Sequence, residues 1–226
     1  TRKLTFCLKS IYNNSKESNM KVSNEIINIF PEIKKWRREL HAHPELGYEE
    51  EWTSNFVAEK LESFGLEIHR GMAKTGVVGV LKGANASLGG GGNKAIGLRA
   101  DMDALPMTEE NDFSYKSKFD GRMHACGHDG HTAMLLGAAK LLSSKKDFDG
   151  TVYFIFQPAE EGGGGGLAMI EDGLFQQFPM DSVWGMHNWP GMSEGRVAVH
   201  KGSVMAAADK FEVTINGSGG HAAMPQ

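Results

Sequence analysis

Thr151-Val152-Tyr153-Phe154-Ile155-Phe156-Gln157 is a run of β-branched and aromatic residues that ends at Pro158. Such a run predicts a strand, because branched and aromatic side chains suit a pleated surface and proline cannot continue a ladder. Before it, residues 128–143 place Met134, Leu135, Ala138, Leu141 and Leu142 at helical spacing. After it come a glycine loop, a short helix near 166–172 and a strand near 182–187. Further upstream, strands are predicted at 66–70, 76–82 and 95–100, the last two separated by a Gly/Ser/Asn loop over 83–94. Helices cover 22–40, interrupted or restarted at Pro31, and 49–64, opened by Glu49, Glu50 and Glu51 and closed by Gly65. Strands alternating with helices predict an α/β domain: a mainly parallel sheet with helices on both faces.

In such sheets, ligands bind beyond the carboxyl ends of the strands. Asp101 and Asp103 follow one predicted strand, Glu160 and Glu161 another, and His187 a third. Cys126 and His128 lie in the turn that enters a helix, within His124-Ala125-Cys126-Gly127-His128-Asp129-Gly130-His131. A thiol, imidazoles and paired carboxylates are the ligands and base of a metal-dependent hydrolase.

Each piece has a plainer reading. Cys126 and His128 could be a structural cysteine beside a capping histidine; on a helix they would diverge, so sharing a metal requires the turn that Gly127 permits. Glu160-Glu161 could be a solvated acidic pair, although the five glycines at 162–166 make a costly loop unless backbone must approach something closely. One of Asp101 and Asp103 could orient a ligand imidazole or simply cap a turn. His187, taken alone, reads as structural, and His41, His43, His69 and His200 carry no chemical argument.

The bulk composition narrows the field. The chain has 226 residues, 40% hydrophobic, and a formal net charge of −4. That balance argues against a nucleic-acid partner, which needs a basic face. No apolar run reaches the ~18 residues that a membrane span requires. Two cysteines, Cys7 and Cys126, make no disulfide framework, which predicts a reducing, cytoplasmic setting. The glycines at 162–166 are followed by no Gly-Lys-Ser/Thr, so a nucleotide loop is rejected. A zinc deaminase is disfavoured because the Pro-Cys-x-x-Cys half of its signature is missing. Residues 1–19 read as a disordered leader or a reading-frame artefact, and 20–206 as a catalytic domain. From 207 to 226 a second domain begins with an alternating strand, Lys210–Ile215. The chain is therefore expected to be an N-terminal fragment, inactive by itself.

Several stretches together resemble the amidohydrolase branch of the aminoacylase/carboxypeptidase metallopeptidase superfamily, which includes hippurate hydrolases, N-acetyl-diaminopimelate deacetylases and plant auxin-conjugate hydrolases. They are residues 41–47 (HAHPELG), 99–106 (RADMDALP), 123–131 (MHACGHDGH), 156–162 (FQPAEEG), 185–188 (GMHN) and 219–225 (GGHAAMP). The resemblance implies two divalent metal ions, zinc or manganese, with cobalt a further option. It implies Cys126, His128, Glu161 and His187 as metal ligands and Glu160 as general base and acid. Asp103 would orient a ligand, and His221, in a lid or dimerisation domain, would reach the partner subunit's site and stabilise the oxyanion. The implied reaction is hydrolysis of small N-acyl amino acids to a carboxylic acid and an amino acid, by a homodimer when full length. The family's further C-terminal ligand is absent from this chain, so an inactive metal-binding or interaction protein is the alternative.

Overall fold

Val77-Val78 and Phe154-Ile155-Phe156 are buried at consecutive positions, so the strands that carry them need cover on both faces. The computed structural model, which describes residues 22–84, 94–199, 201–205, 211–217 and 219–224, supplies that cover. Helices α1 (Asn24–Ala42) and α2 (Glu51–Ser63) are followed by strands β1 (Glu67–Met72), β2 (Gly76–Lys82) and β3 (Ala95–Asp101). Then come α3 (His128–Lys145), β4 (Thr151–Gln157), α4 (Gly165–Glu171), α5 (Leu174–Gln177) and β5 (Ser182–Gly185). On one face Leu40, Leu61, Leu136, Phe154 and Phe156 belong to a core built with α1, α2 and α3. On the other, Val78 and Ile155 pack with Met169, Leu174 and Phe178 from the α4–α5 region.

The sheet runs β1-β2-β4-β3-β5. It is mixed. β3 pairs in parallel with both β4 and β5, which is the expected parallel core. β1 and β2 pair antiparallel, as do β2 and β4. Only the short turn Ala73-Lys74-Thr75 joins β1 to β2, and a connection that short cannot cross over to make a parallel pair. In the parallel part Asp101 stands opposite Gln157 and Arg99 opposite Gly185. The carboxyl ends of β3, β4 and β5 therefore finish at one edge, and the chain leaves that edge carrying Asp103, Glu160, Glu161 and His187.

Two local expectations change. α1 runs unbroken through Pro31, which is exposed, so the carbonyl that loses its partner can bond water. The first turn of α2 is not capped by its own acidic run. Glu45 reaches forward instead, and its carboxylate accepts the Trp52 and Thr53 amides at 3.0 and 2.8 Å. Glu50 is then free to turn inward and is fully buried.

The chain divides into two compact units after Pro190. In the second, the described part of the expected strand 210–215 has no strand structure, and Phe211 and Ile215 are exposed. An alternating segment becomes a strand only when another strand takes up its amides and carbonyls. The expected leader at 1–19 and most of the loop 83–94, including the glycines at 89–92, lie outside the described residues, as does His200. Among the described residues, no helix is long and apolar enough to cross a membrane.

Candidate metal centre

Gly127 has φ +97°, the left-handed conformation open to glycine, and it forms the turn into α3. That turn keeps Cys126 and His128, two positions apart, on the same side. His187, carried past the end of β5, joins them: its Nε2 lies 3.3 Å from Cys126 Sγ. Sulfur and ring nitrogens of Cys126, His128 and His187 fall within 4.8 Å of one another, as do ligand atoms of His128, Glu160 and Glu161. Asp101, His128 and His131 form a third such group. His128 is common to all three.

Asp103 organises this centre from below. His128 Nδ1 lies 2.9 Å from the Asp103 carbonyl oxygen and 3.2 Å from Oδ1, while Asp103 Oδ2 accepts the Glu161 amide at 2.8 Å. Burial alone would raise the Asp103 pKa, but His128 and the amides of Glu161 and Glu160 outweigh it and hold the carboxyl below its usual range. The proton on His128 Nδ1 is thereby committed, and Nε2 faces the cluster.

That nitrogen is buried and has no hydrogen-bond partner. Asp101 Oδ2 and Glu160 Oε2 stand 3.7 Å from it and Glu161 Oε1 3.8 Å, too far for a hydrogen bond. Burial, then a hydrogen bond to Glu161 and the charges of Glu161, Glu160 and Asp101, pushes the Cys126 thiol up to about 12. An orphaned imidazole nitrogen, a thiol and several carboxylates drawn to one point carry an excess of electron pairs and negative charge. A divalent cation satisfies both, and nitrogen, sulfur and oxygen donors suit zinc and its first-row neighbours. The residues fit a metal.

The loop that bears the two glutamates is held by Glu50. Ala159 is fully buried at φ +49°, a conformation alanine rarely adopts. Its amide donates to Glu50 Oε1 at 2.8 Å, and Thr75 Oγ1 donates to Glu50 Oε2 at 2.6 Å. Glu160 and Glu161 leave this bend partly exposed, with 41% and 26% of their side-chain surface accessible. The sequence signal was only that three glutamates stood together, which a helix start explains equally well.

His41, to which no role had been given, lies buried between two carboxylates. Nδ1 is 2.7 Å from Asp129 Oδ2 and Nε2 3.0 Å from Glu109 Oε1. Arg37 Nε adds a bond to Asp129 at 2.8 Å. This cluster ties the irregular segment between β3 and α3 to both α1 and α3. His43 stacks on Trp52, and His69 meets Glu67 and Phe178, away from the centre. His124 is buried with neither ring nitrogen bonded, and burial pushes its pKa down to about 4.

Cys126, His128, Glu160, Glu161, His187 and Asp103 are thus gathered at the carboxyl edge of one sheet. His221 lies in the second unit, where its Nδ1 accepts the Ala223 amide at 3.2 Å.

Residues 97–225 match the model of peptidase family M20/M25/M40. The chain belongs to this family. This M20-family chain is 49% identical over 207 residues to the hippurate hydrolase of Campylobacter jejuni, covering 92% of itself and 52% of that enzyme. It is 48% identical to the N-acyl-L-amino acid amidohydrolase of Geobacillus stearothermophilus, covering 84% and 50%. Among solved structures it is similar to the YXEP protein of Bacillus subtilis, a dinuclear metal-binding peptidase from the M20 family. There the TM-score is 0.67 and the identity 40%, with 73% of this chain and 45% of that one covered. The M20-family chain spans about half the length of the curated relatives it matches.

Proposed function

We propose that this chain carries the greater part of the catalytic centre of a metal-dependent amidohydrolase that cleaves small N-acyl amino acids. One observation carries the reading: the unpartnered, buried Nε2 of His128, faced by Cys126, His187, Glu160 and Glu161. The relatives that hydrolyse hippurate and N-acyl-L-amino acids support the substrate class. Cys126, His128, Glu161 and His187 would hold two divalent ions, zinc, manganese or cobalt, and the dinuclear neighbour supports that number. Bound there, such ions would polarise an amide carbonyl and make water acidic near neutral pH.

The chain's own groups then have distinct tasks. Glu160, the more exposed of the pair, takes a proton from the attacking water at its carboxylate. As the C–N bond breaks, it gives that proton to the leaving nitrogen, so the products are a carboxylic acid and the free amino group. Asp103 keeps His128 Nδ1 protonated and the Glu161 backbone in place. His221 is assigned to the oxyanion, contributed across a homodimer by the full-length protein. A thiol among the ligands suits a reducing, cytoplasmic setting.

The test is hydrolysis of benzoyl-, acetyl- and indole-acetyl-amino acids by the full-length protein, with metal analysis before and after chelation. Amidase activity that disappears with the metal and returns on adding zinc, manganese or cobalt is expected. Activity that persists in metal-free protein would overturn the reading.

A further inference from the structure

Asn188 uses three of its polar groups at once, all toward the same cluster. Its side-chain Nδ2 donates to the Cys126 carbonyl oxygen at 2.8 Å. Its carbonyl oxygen lies 2.5 Å from His187 Nδ1. Its backbone N–H donates to His131 Nε2 at 2.9 Å. The last bond fixes the proton of His131: since Nε2 accepts, Nδ1 donates, and it meets Asp101 Oδ1 at 2.6 Å.

The chain of bonds ends in groups that cannot swing away. Asp101 lies at the end of β3 and is fully buried; its other oxygen takes Arg99 Nη1 at 2.7 Å, and its carbonyl accepts Thr132 Oγ1 at 2.8 Å. His131 sits in the first turn of α3 and is also buried. Asn188 is therefore pinned by its backbone to α3 and β3, while its amide and carbonyl grip two residues 61 positions apart. Space is reserved for that grip. A Cβ on Gly127 would come within 2.3 Å of Asn188 Nδ2, so the glycine is needed for the amide as well as for its left-handed turn.

We propose that Asn188 is a positioning residue of the metal centre, setting Cys126 and His187 as a ligand pair. The inference rests on the metal-site reading above. The Asn188 carbonyl holds the His187 proton on Nδ1, which leaves Nε2 as donor atom toward the Cys126 sulfur. The Asn188 side chain fixes the Cys126 backbone, and with it the direction of Sγ. Imidazole ligands commonly need such a partner on the second nitrogen. Here one residue serves the histidine and the cysteine together.

The test uses the full-length protein, stripped of metal and titrated with Co²⁺, beside the Asn188→Ala variant. That substitution keeps both backbone bonds and removes only the amide donor to Cys126. The readouts are Co²⁺ affinity by competition with a chelator, the thiolate-to-cobalt charge-transfer absorption, and the melting of the metal-free protein. N188A is expected to lose about 10–100-fold in Co²⁺ affinity. Its charge-transfer absorption should weaken relative to the d–d bands, with the metal-free melt close to that of the parent. An unchanged affinity and spectrum would overturn the proposal. So would a metal-free N188A that no longer melts cooperatively, since the residue would then serve the fold. Failure of the parent to bind Co²⁺ with any thiolate absorption would instead overturn the metal-site reading itself.

Discussion

The Nδ1 atom of His128 lies 2.9 Å from the carbonyl oxygen of Asp103, and the same aspartate's Oδ2 accepts the amide of Glu161 at 2.8 Å. One residue thus fixes the tautomer of His128 and the backbone of Glu161, both proposed metal ligands. Asp103→Ala leaves the carbonyl bond intact but removes the carboxylate from both. Metal affinity should fall by roughly 10–100-fold, read by chelator competition. An affinity within twofold of the parent would show that the carboxylate does not orient the ligands.

Glu160→Ala should separate the proposed base from the proposed ligands. Turnover is expected to drop by roughly 10²–10⁴, while the metal bound per protein, measured by elemental analysis, stays the same. Activity that survives, or metal that leaves with it, would transfer the base role away from Glu160.

Glu50 is buried beneath the Glu160–Glu161 loop and accepts from Ala159 and Thr75. Burial raises its pKa, against the lowering effect of those two hydrogen bonds. Glu50→Ala strands the buried amide of the left-handed Ala159, at a cost of about 1–3 kcal/mol. Glu50→Gln keeps an acceptor for one of the two donors and should recover part of that loss. Urea unfolding of the metal-free protein reads both; equal stability of parent and Glu50→Ala would count against the role.

His41 predicts a pH dependence of stability. Burial works against its protonation, but the bonds to Asp129 and Glu109 prevail and raise its pKa above the usual 6.5. Its contribution is then fully present below the unfolded value and lost as pH rises through the folded one. Burial pushes the Glu109 pKa up, yet His41, the Ser117 amide and Asn111 bring it below 4.5. That contribution is present above the unfolded value and lost as pH falls through the folded one. Stability should peak between the carboxylate range and the raised histidine value. The denaturation midpoint, followed from acid to mildly alkaline pH, should fall less on the alkaline side in His41→Gln, the raised His128 keeping its own share. An identical alkaline slope in that variant would rule out His41 as the source.

Legibility in the sequence followed the range of the interactions involved. The bounds of β2 and β4 could be read because apolar runs closed by Lys82 and by Pro158 act locally. Cys126, His128 and the Glu160–Glu161 pair were visible from residue type and spacing, and the parallel register of β3, β4 and β5 brings them to one edge. The continuity of α1 through Pro31 was not visible, since it depends on which side of the helix meets water. His41 with Glu109, and Glu50 with Ala159, are 68 and 109 positions apart, and no local pattern marks such pairs. Asn188 was harder still, because two of its three bonds use backbone atoms that every residue has.

The parallel pairing of β5 with β3 also sets an order of events during folding. Before that pairing forms, the proposed ligand set lacks His187, which stands 61 positions along the chain from Cys126. Closing loops of that length is the slow, entropically costly part of building such a sheet. With His187 among the proposed ligands, full affinity would therefore require that β5 has docked. Tight capture of metal would then report that β5 has paired with β3.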